Sequence, residues 1–232
     1  MQFLKGFFFL LIVLILTVVL VGTSVMLRYK HIVNNAKEYW DTRSHLQGEV
    51  VLVVLGDSAA QSIGATLPEN GYVNLLTTKI SEKTGKSVLV KNLSVAGAGV
   101  AQVISQQIPQ LEGIDGRYYI LSVGANDAIR NTPVEDIVRQ FEILTPLLPA
   151  GTFIAEVPAY RWGIVDDKVI EINAELATMA EANSLRIVPL HAPTFLYSKE
   201  GAYYDFDFFH PNNKGHELWA QTFWTVMEEH IR

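Results

Sequence analysis

The chain has 232 residues and a formal net charge of −6, with 18 Lys and Arg against 24 Asp and Glu, and it has no cysteine. No basic stripe offsets the acids, which argues against a nucleic-acid binder. The lack of cysteine excludes a disulfide framework, a thiolate metal site, a cysteine nucleophile and a lipoprotein-type lipid anchor. Without its first thirty residues the chain keeps roughly 200, enough for one domain with a sizeable core.

The first element is an uncharged run from Phe7 to Leu27. As a helix rising ~1.5 Å per residue it reaches roughly 30 Å, the thickness of a hydrocarbon core. Gly22-Thr23-Ser24 could serve as a cleavage site, but the run continues through Val25, Met26 and Leu27, beyond the apolar region of a cleavable signal. The expectation is a single-pass transmembrane signal-anchor over residues 1–30, with a cleaved signal or a buried core helix as alternatives. Positive-inside counting sets Lys5 and the α-amine against Arg28, Lys30, Lys37 and Arg43, which by itself would leave the domain in the cytoplasm. A very short N-terminal tail with one lysine is the layout of an export signal-anchor, so the expected location is the cell membrane with an extracytoplasmic domain. Residues 31–48 are polar and mixed in charge and suit a juxtamembrane helix or linker.

From residue 49 to 232 short β-branched runs alternate with amphipathic segments. Glu49–Leu55 is a near-continuous apolar run, the pattern of a strand covered on both faces. Glu69–Lys83 has helical spacing with Gly85 as its stop, Ser87–Leu93 reads as a strand and Val100–Leu111 as a helix. Tyr118–Val123 is a third strand, and a helix over Val134 to Leu148 opens after Thr132-Pro133. Thr152–Val157 and Leu185–Leu190 are strands on either side of a helix over Asp167–Asn183, and the last helix runs from Lys214 to His230. Strict alternation of apolar strands and helices predicts an α/β fold, a three-layer α/β/α sandwich around a parallel sheet. No repeat or low-complexity tract breaks this single domain.

Ligands of an open parallel sheet bind outside the carboxyl ends of its strands. Four places deliver reactive polar residues there: Gly56-Asp57-Ser58, the stretch from Asn92 and Ser94 to Gly97-Ala98-Gly99, Gly124-Ala125-Asn126-Asp127, and Asp207-Phe208-Phe209-His210-Pro211. A serine hydroxyl needs an adjacent base to become nucleophilic. Among six histidines, His210 has a carboxylate, Asp207, three residues before it, placed to fix its tautomer and stabilise the imidazolium. Asp205 is the rival acid. Pro211 holds His210 extended until Asn212 or Asn213 caps the last helix. The amides of Ser58 and Gly97 and the side chain of Asn126 are candidate donors to a developing oxyanion. Asp57 and Asp127 read as braces of their loops. The aromatics Tyr160, Trp162 and Phe208 are candidate substrate contacts, as an acyl site or a sugar platform.

These residues carry a resemblance. GDSAAQSIG at 56–64 resembles the first block of SGNH hydrolases, the GDSL-type esterases and lipases, though Ala59-Ala60 replace the usual Leu and its follower. Gly97 falls where that family's second-block glycine stands, 124–127 looks like its GxND, and 207–210 is similar to its closing DxxH. The resemblance implies a flavodoxin-like sandwich, acyl-ester hydrolysis without metal or cofactor, Ser58, Asp207 and His210 as catalytic triad, and Ser58, Gly97 and Asn126 as oxyanion hole. The substrate would be a small-molecule, glycan or lipid ester, and an envelope glycan or lipid fits the anchor. Two alternatives keep the same fold: an O-acyltransferase using the same site, and a catalytically silent binding module. A metal site from Asp205, Asp207, His210 and His216 lacks other support. Gly97-Ala98-Gly99 fails as a dinucleotide fingerprint because Gln102 occupies the third small position. Oligomeric state is open.

Overall fold

The structure, a computed structural model, describes the backbone of residues 2–232 and the side chains of Phe7 and residues 10–232. Lys5, whose charge bears on orientation, lies outside the described side chains. The chain divides into two units, residues 1–35 and 36–232.

The first unit is helical, the start of α1 (Gln2–Arg43). Its apolar side chains from Leu10 to Leu27 are exposed, Leu20 at 68% and Met26 at 74%. The helix is long and apolar enough to cross a membrane.

The second unit opens on the last turns of α1. Ala36 and Trp40 are buried there, Tyr39 donates from its hydroxyl to Asn74 Oδ1 at 3.1 Å, and Lys91 Nζ donates to the Ser44 carbonyl at 2.7 Å. Residues 31–48, expected as one juxtamembrane segment, therefore divide: 36–43 are packed helix, and 44–48 connect it to the sheet.

Five strands follow: β1 (Val50–Gly56), β2 (Val88–Asn92), β3 (Tyr118–Ser122), β4 (Phe153–Ala155) and β5 (Arg186–Val188). They pair in the order β2-β1-β3-β4-β5, all parallel. This is the flavodoxin-like order, and its switch point lies between the carboxyl ends of β1 and β3.

The near-continuous apolar run of β1 is explained by two cores. Val50, Leu52 and Val54 point to one side, with Tyr72, Leu76 and Ile80 of α2 (Tyr72–Thr84) and Trp219, Phe223 and Met227 of α8 (Asn213–Met227). Val53 and Leu55 point to the other. There they meet Val100 of α3 (Val100–Gln102), Ile137 and Phe141 of α5 (Val134–Leu144), and Val169, Ile172 and Leu176 of α6 (Asp166–Ala182). A strand with helices on both faces has no polar side to show.

Gly85 ends α2 in the left-handed region at φ +69°, its amide donating to Ser81. The helix expected over Val100–Leu111 is continuous but irregular, passing from α to a π segment at Val103–Gln107 and a 3-10 turn at Ile108–Leu111. Two short helices went unforeseen, α4 (Ala125–Ile129) and α7 (His191–Leu196).

Candidate active site

The site begins where β1 stops. Gly56 sits at φ +148°, and a Cβ there would stand 2.4 Å from the Ser122 carbonyl oxygen, so only glycine lets β1 break sharply against β3. The fully buried Gln107 accepts from the Gly56 amide at 2.9 Å and donates to its carbonyl at 2.8 Å. One side chain thus bonds both backbone groups at the break, and the carbonyl also accepts from the Val95 amide at 3.1 Å.

Asp57 and Ser58 follow, both buried. Asp57 Oδ1 accepts from the Ala59 amide at 3.0 Å. Gln61 donates to the Ser94 carbonyl at 2.7 Å and Asn92 to the Ala60 carbonyl at 2.8 Å, tying the loops after β1 and β2 together. Burial pushes the Asp57 carboxyl up to about 6, against the pull of the Ala59 amide and of His210.

The histidine arrives on a tight turn. The Asp205 amide donates to the His210 carbonyl, and the Phe208 amide to the Asp205 carbonyl, each at 2.9 Å. Phe208 sits at φ +60°. This folds Asp207 back so that Oδ1 accepts from the Phe209 and His210 amides at 3.0 Å each. Its Oδ2 lies 2.5 Å from His210 Nδ1, and His210 Nε2 lies 2.8 Å from Ser58 Oγ. Asp207, not Asp205, faces the ring. Burial opposes its charge, but the hydrogen bond to His210 and its proximity, with the two amides, outweigh that and hold the carboxyl below its ordinary value. With Asp207 accepting from Nδ1–H, Nε2 is left as acceptor for the serine proton.

The floor under His210 is also built. Gly64, at φ +96°, would drive a Cβ to 2.8 Å from His210 Cβ and 2.3 Å from the Pro211 carbonyl oxygen. His216 of α8, fully buried, accepts from the Tyr72 amide at 3.3 Å and donates to the Ile63 carbonyl at 3.1 Å. Burial lowers its ring to about 4, with the nearby His210 adding to the effect, so it is a neutral structural histidine. Asn212, not Asn213, caps α8, accepting from the Gly215 amide at 3.2 Å.

Asn126, second residue of α4, donates to the Ala98 carbonyl at 3.1 Å and to Asp57 Oδ2 at 3.3 Å. It therefore links the Ser58 loop to the Gly97 loop. Gly97 is at φ +79°, and a Cβ there would meet only Arg130 Nη2, at 3.5 Å. The three expected oxyanion donors are unequally prepared. The Ser58 and Gly97 amides have no acceptor among the described residues, whereas both N–H groups of Asn126 are engaged. Asp127 turns away, accepting from the Val100 amide at 3.1 Å.

Beside Ser58 and His210 opens a cleft of about 560 Å³, its mouth included, lined by Tyr160, Tyr197, Tyr204, Phe209, Leu218 and Trp219 among others. The hydroxyl of Tyr160 donates to the Ala125 carbonyl and that of Tyr204 to the Ala159 carbonyl, so the cleft sees their rings. Of the three aromatics expected to contact substrate, Tyr160 lines this cleft. Trp162 and Phe208 stand outside it, exposed and stacked on Arg161.

Sequence reasoning missed Gln107. Its signal was there: it falls on the apolar stripe Val100, Val103, Ile104, Gln107, Ile108, Leu111, and a polar residue on a buried stripe must have a backbone to serve.

Comparison with known proteins gives a consistent result. Solved structures share the fold: TesA (17% identity, TM-score 0.67, covering 77% of this chain and 98% of that one), the psychrotrophic esterase EstA from Pseudoalteromonas sp. (18%, 0.63, 78% and 98%) and the acetylxylan esterase Axe2 from Geobacillus stearothermophilus (18%, 0.61, 77% and 94%). No curated protein matches the chain significantly. Residues 54–218 match the GDSL-like Lipase/Acylhydrolase family, a stretch that holds Ser58, Gly97, Asn126, Asp207 and His210; by that match the chain belongs to this family and is a carboxylic ester hydrolase.

Proposed function

We propose that the protein cleaves short-chain acyl or acetyl esters through an acyl-serine intermediate, with Ser58, His210 and Asp207 as its relay. The observation that carries this reading is the unbroken line of contacts from Asp207 Oδ2 through the His210 ring to Ser58 Oγ, at 2.5 and 2.8 Å. As Ser58 Oγ attacks the ester carbonyl its proton passes to Nε2, and Asp207 stabilises the imidazolium. The amides of Ser58 and Gly97 hold the oxyanion, and Asn126 joins them by giving up its longer bond, that to Asp57. Collapse breaks the ester C–O bond, and Nε2 returns the proton to the departing alcohol. Water then repeats the sequence against the acyl-serine and releases the acid.

The narrow apolar cleft beside Ser58 suits the acyl group, with Tyr160 as a wall, and leaves the alcohol part of the ester to the open side. A short acyl chain on a larger alcohol, such as a cell-envelope glycan, fits this better than a long-chain lipid. The apolar N-terminal helix would hold the enzyme at the cell membrane as a single-pass protein, with the domain outside the cytoplasm.

The test uses the full chain in detergent micelles. Turnover of p-nitrophenyl esters should be greatest for acetyl to butyryl and fall for longer chains, and a fluorophosphonate should label the wild type and not Ser58→Ala. Equal turnover in wild type and Ser58→Ala would end the assignment.

A further inference from the structure

Two bulky non-glycine residues near the relay occupy the left-handed backbone region, Trp162 at φ +62° and Phe208 at φ +60°. Aromatic residues enter that region only when their surroundings hold them there. Both are largely exposed, at 59% and 53%, so the holding force is not burial. It is Arg161. Its guanidinium carbon lies 4.1 Å from the centroid of the Trp162 ring and 4.1 Å from that of Phe208, well inside the range of cation–π attraction. The two rings are 6.1 Å apart and tilted by 43°, with the cation against both.

The guanidinium also packs against Gly201, where a Cβ would stand 2.8 Å from Nη2. Its Nε and Nη1 are buried without a hydrogen-bond partner among the described residues, and no carboxylate pairs with it there. Buried N–H groups of this kind normally find an acceptor. Here two of them go unfilled while the cation lies against both rings, in the angle they make.

What the cation holds is the turn that aims Asp207. The left-handed Phe208 lets the Asp207 carboxylate fold back onto the Phe209 and His210 amides and present Oδ2 to Nδ1. The next residue is gripped from the same side, since Phe209 stacks on Tyr160 with centroids 5.8 Å apart and meets the His210 ring edge-on at 4.9 Å. The segment 160–162 is itself fixed, the Trp162 amide donating to the Ser198 carbonyl and the Gly163 amide to that of Tyr160, both at 3.0 Å. We propose that Arg161 is a positioning residue: packed against both Trp162 and Phe208, it acts as a clamp that locks the strained turn holding Asp207 against His210. This rests on the serine-relay reading above. It gives Trp162 and Phe208 a structural task in place of direct substrate contact.

The test compares Arg161→Ala, Arg161→Lys, Phe208→Gly and the double variant Arg161→Ala/Phe208→Gly in the full chain, with p-nitrophenyl acetate. Arg161→Ala should lower kcat about tenfold with KM within about twofold, since a misplaced catalytic group costs rate rather than binding. Arg161→Lys, which keeps a cation, should recover much of the loss. Glycine takes φ +60° without strain, so in the Phe208→Gly background the alanine change should alter kcat by less than about twofold. A loss of equal size in both backgrounds, a change confined to KM, or no loss at all would overturn the clamp. Hydrogen exchange in the peptide 205–211 reads the turn without turnover: it should quicken in Arg161→Ala, and unchanged exchange overturns the clamp. Wild-type protein that neither turns over nor takes a fluorophosphonate would instead break the serine reading, so the two failures are separable.

Discussion

Two buried side chains at the site carry opposite pH signatures. Asp57 titrates at about 6 in the fold because burial disfavours its charge. Its raised value means that its contribution to stability is full below the ordinary carboxylate value of 3.8 and is lost as pH rises through 6. His216 titrates at about 4 for the same physical reason applied to a base. Its contribution is full above 6.5 and is lost as pH falls through 4. Each shift corresponds to about 3 kcal/mol at its limit, and between pH 4 and 6 the two slopes oppose one another. Wild-type thermal stability should therefore vary little from these groups across that window, and single variants should expose the slopes. Relative to wild type, Asp57→Asn should gain up to about 3 kcal/mol between pH 4 and pH 8, since the amide cannot ionise. His216→Gln should be less stable at pH 8, where it disturbs the bonds to Tyr72 and Ile63, and should lose less than wild type on going from pH 6.5 to 4. Thermal denaturation of the full chain in micelles at several pH values checks both. An Asp57→Asn curve parallel to wild type would show that the carboxyl titrates normally in the fold.

At the scale of elements, the end of β1 depends on a helix that is not regular. The π segment Val103–Gln107 lets Gln107 reach both backbone groups of Gly56. Gln107→Leu keeps the volume and removes both bonds; the Gly56 carbonyl keeps the Val95 amide at 3.1 Å, but the buried Gly56 N–H is left unpaired, which costs about 1–3 kcal/mol. A fall in Tm of roughly 2–10 °C is expected for a domain of this size, with kcat reduced even where the protein stays folded, because Gly56 aims Ser58. An unchanged Tm would mean that water replaces the glutamine. The same elements show what a sequence discloses. The parallel sheet covered on both faces and the four reactive loops were legible because apolar period and glycine placement are local signals, whereas the flavodoxin-like arrangement came from the family resemblance. The π segment was not, since Val100–Leu111 keeps a helical apolar stripe through it. Nor were α4 and α7, whose five and six residues are too few to show a period. The strand expected over Thr152–Val157 is shorter because Asn173 of α6 takes over the Val157 amide at 2.8 Å and its carbonyl at 3.0 Å. A side chain from another element ends the ladder, and no pattern within the strand could announce it. The meeting of Ser58 and His210 lay between these cases. The chemistry named both residues, and the parallel topology brought their loops to one rim.

For the molecule entire, the question of where the catalytic unit begins separates composition from packing. Residues 31–48 look like a tether because they are polar and mixed in charge. Composition does not record that Trp40 is 3% exposed and belongs to the core shared by β1, α2 and α8. Ala36 is equally buried, Tyr39 bonds Asn74, and Lys91 bonds Ser44, so the contacts made before residue 48 are spread over several residues. Removing a buried tryptophan costs about 3–5 kcal/mol, a large share of the 5–15 kcal/mol by which a domain is stable. A soluble fragment 36–232 should therefore unfold cooperatively, while a fragment 48–232 should be less stable by at least about 3 kcal/mol. It should also bind a hydrophobic dye where the opened core is exposed. Trp40→Ala in the longer fragment should reproduce most of that loss, and denaturant midpoints at constant slope measure it. Per folded molecule, turnover of p-nitrophenyl acetate should be alike in the two fragments, because Trp40 touches neither Ser58 nor the cleft beside it. Equal midpoints for the two fragments would return residues 36–47 to the role of a tether.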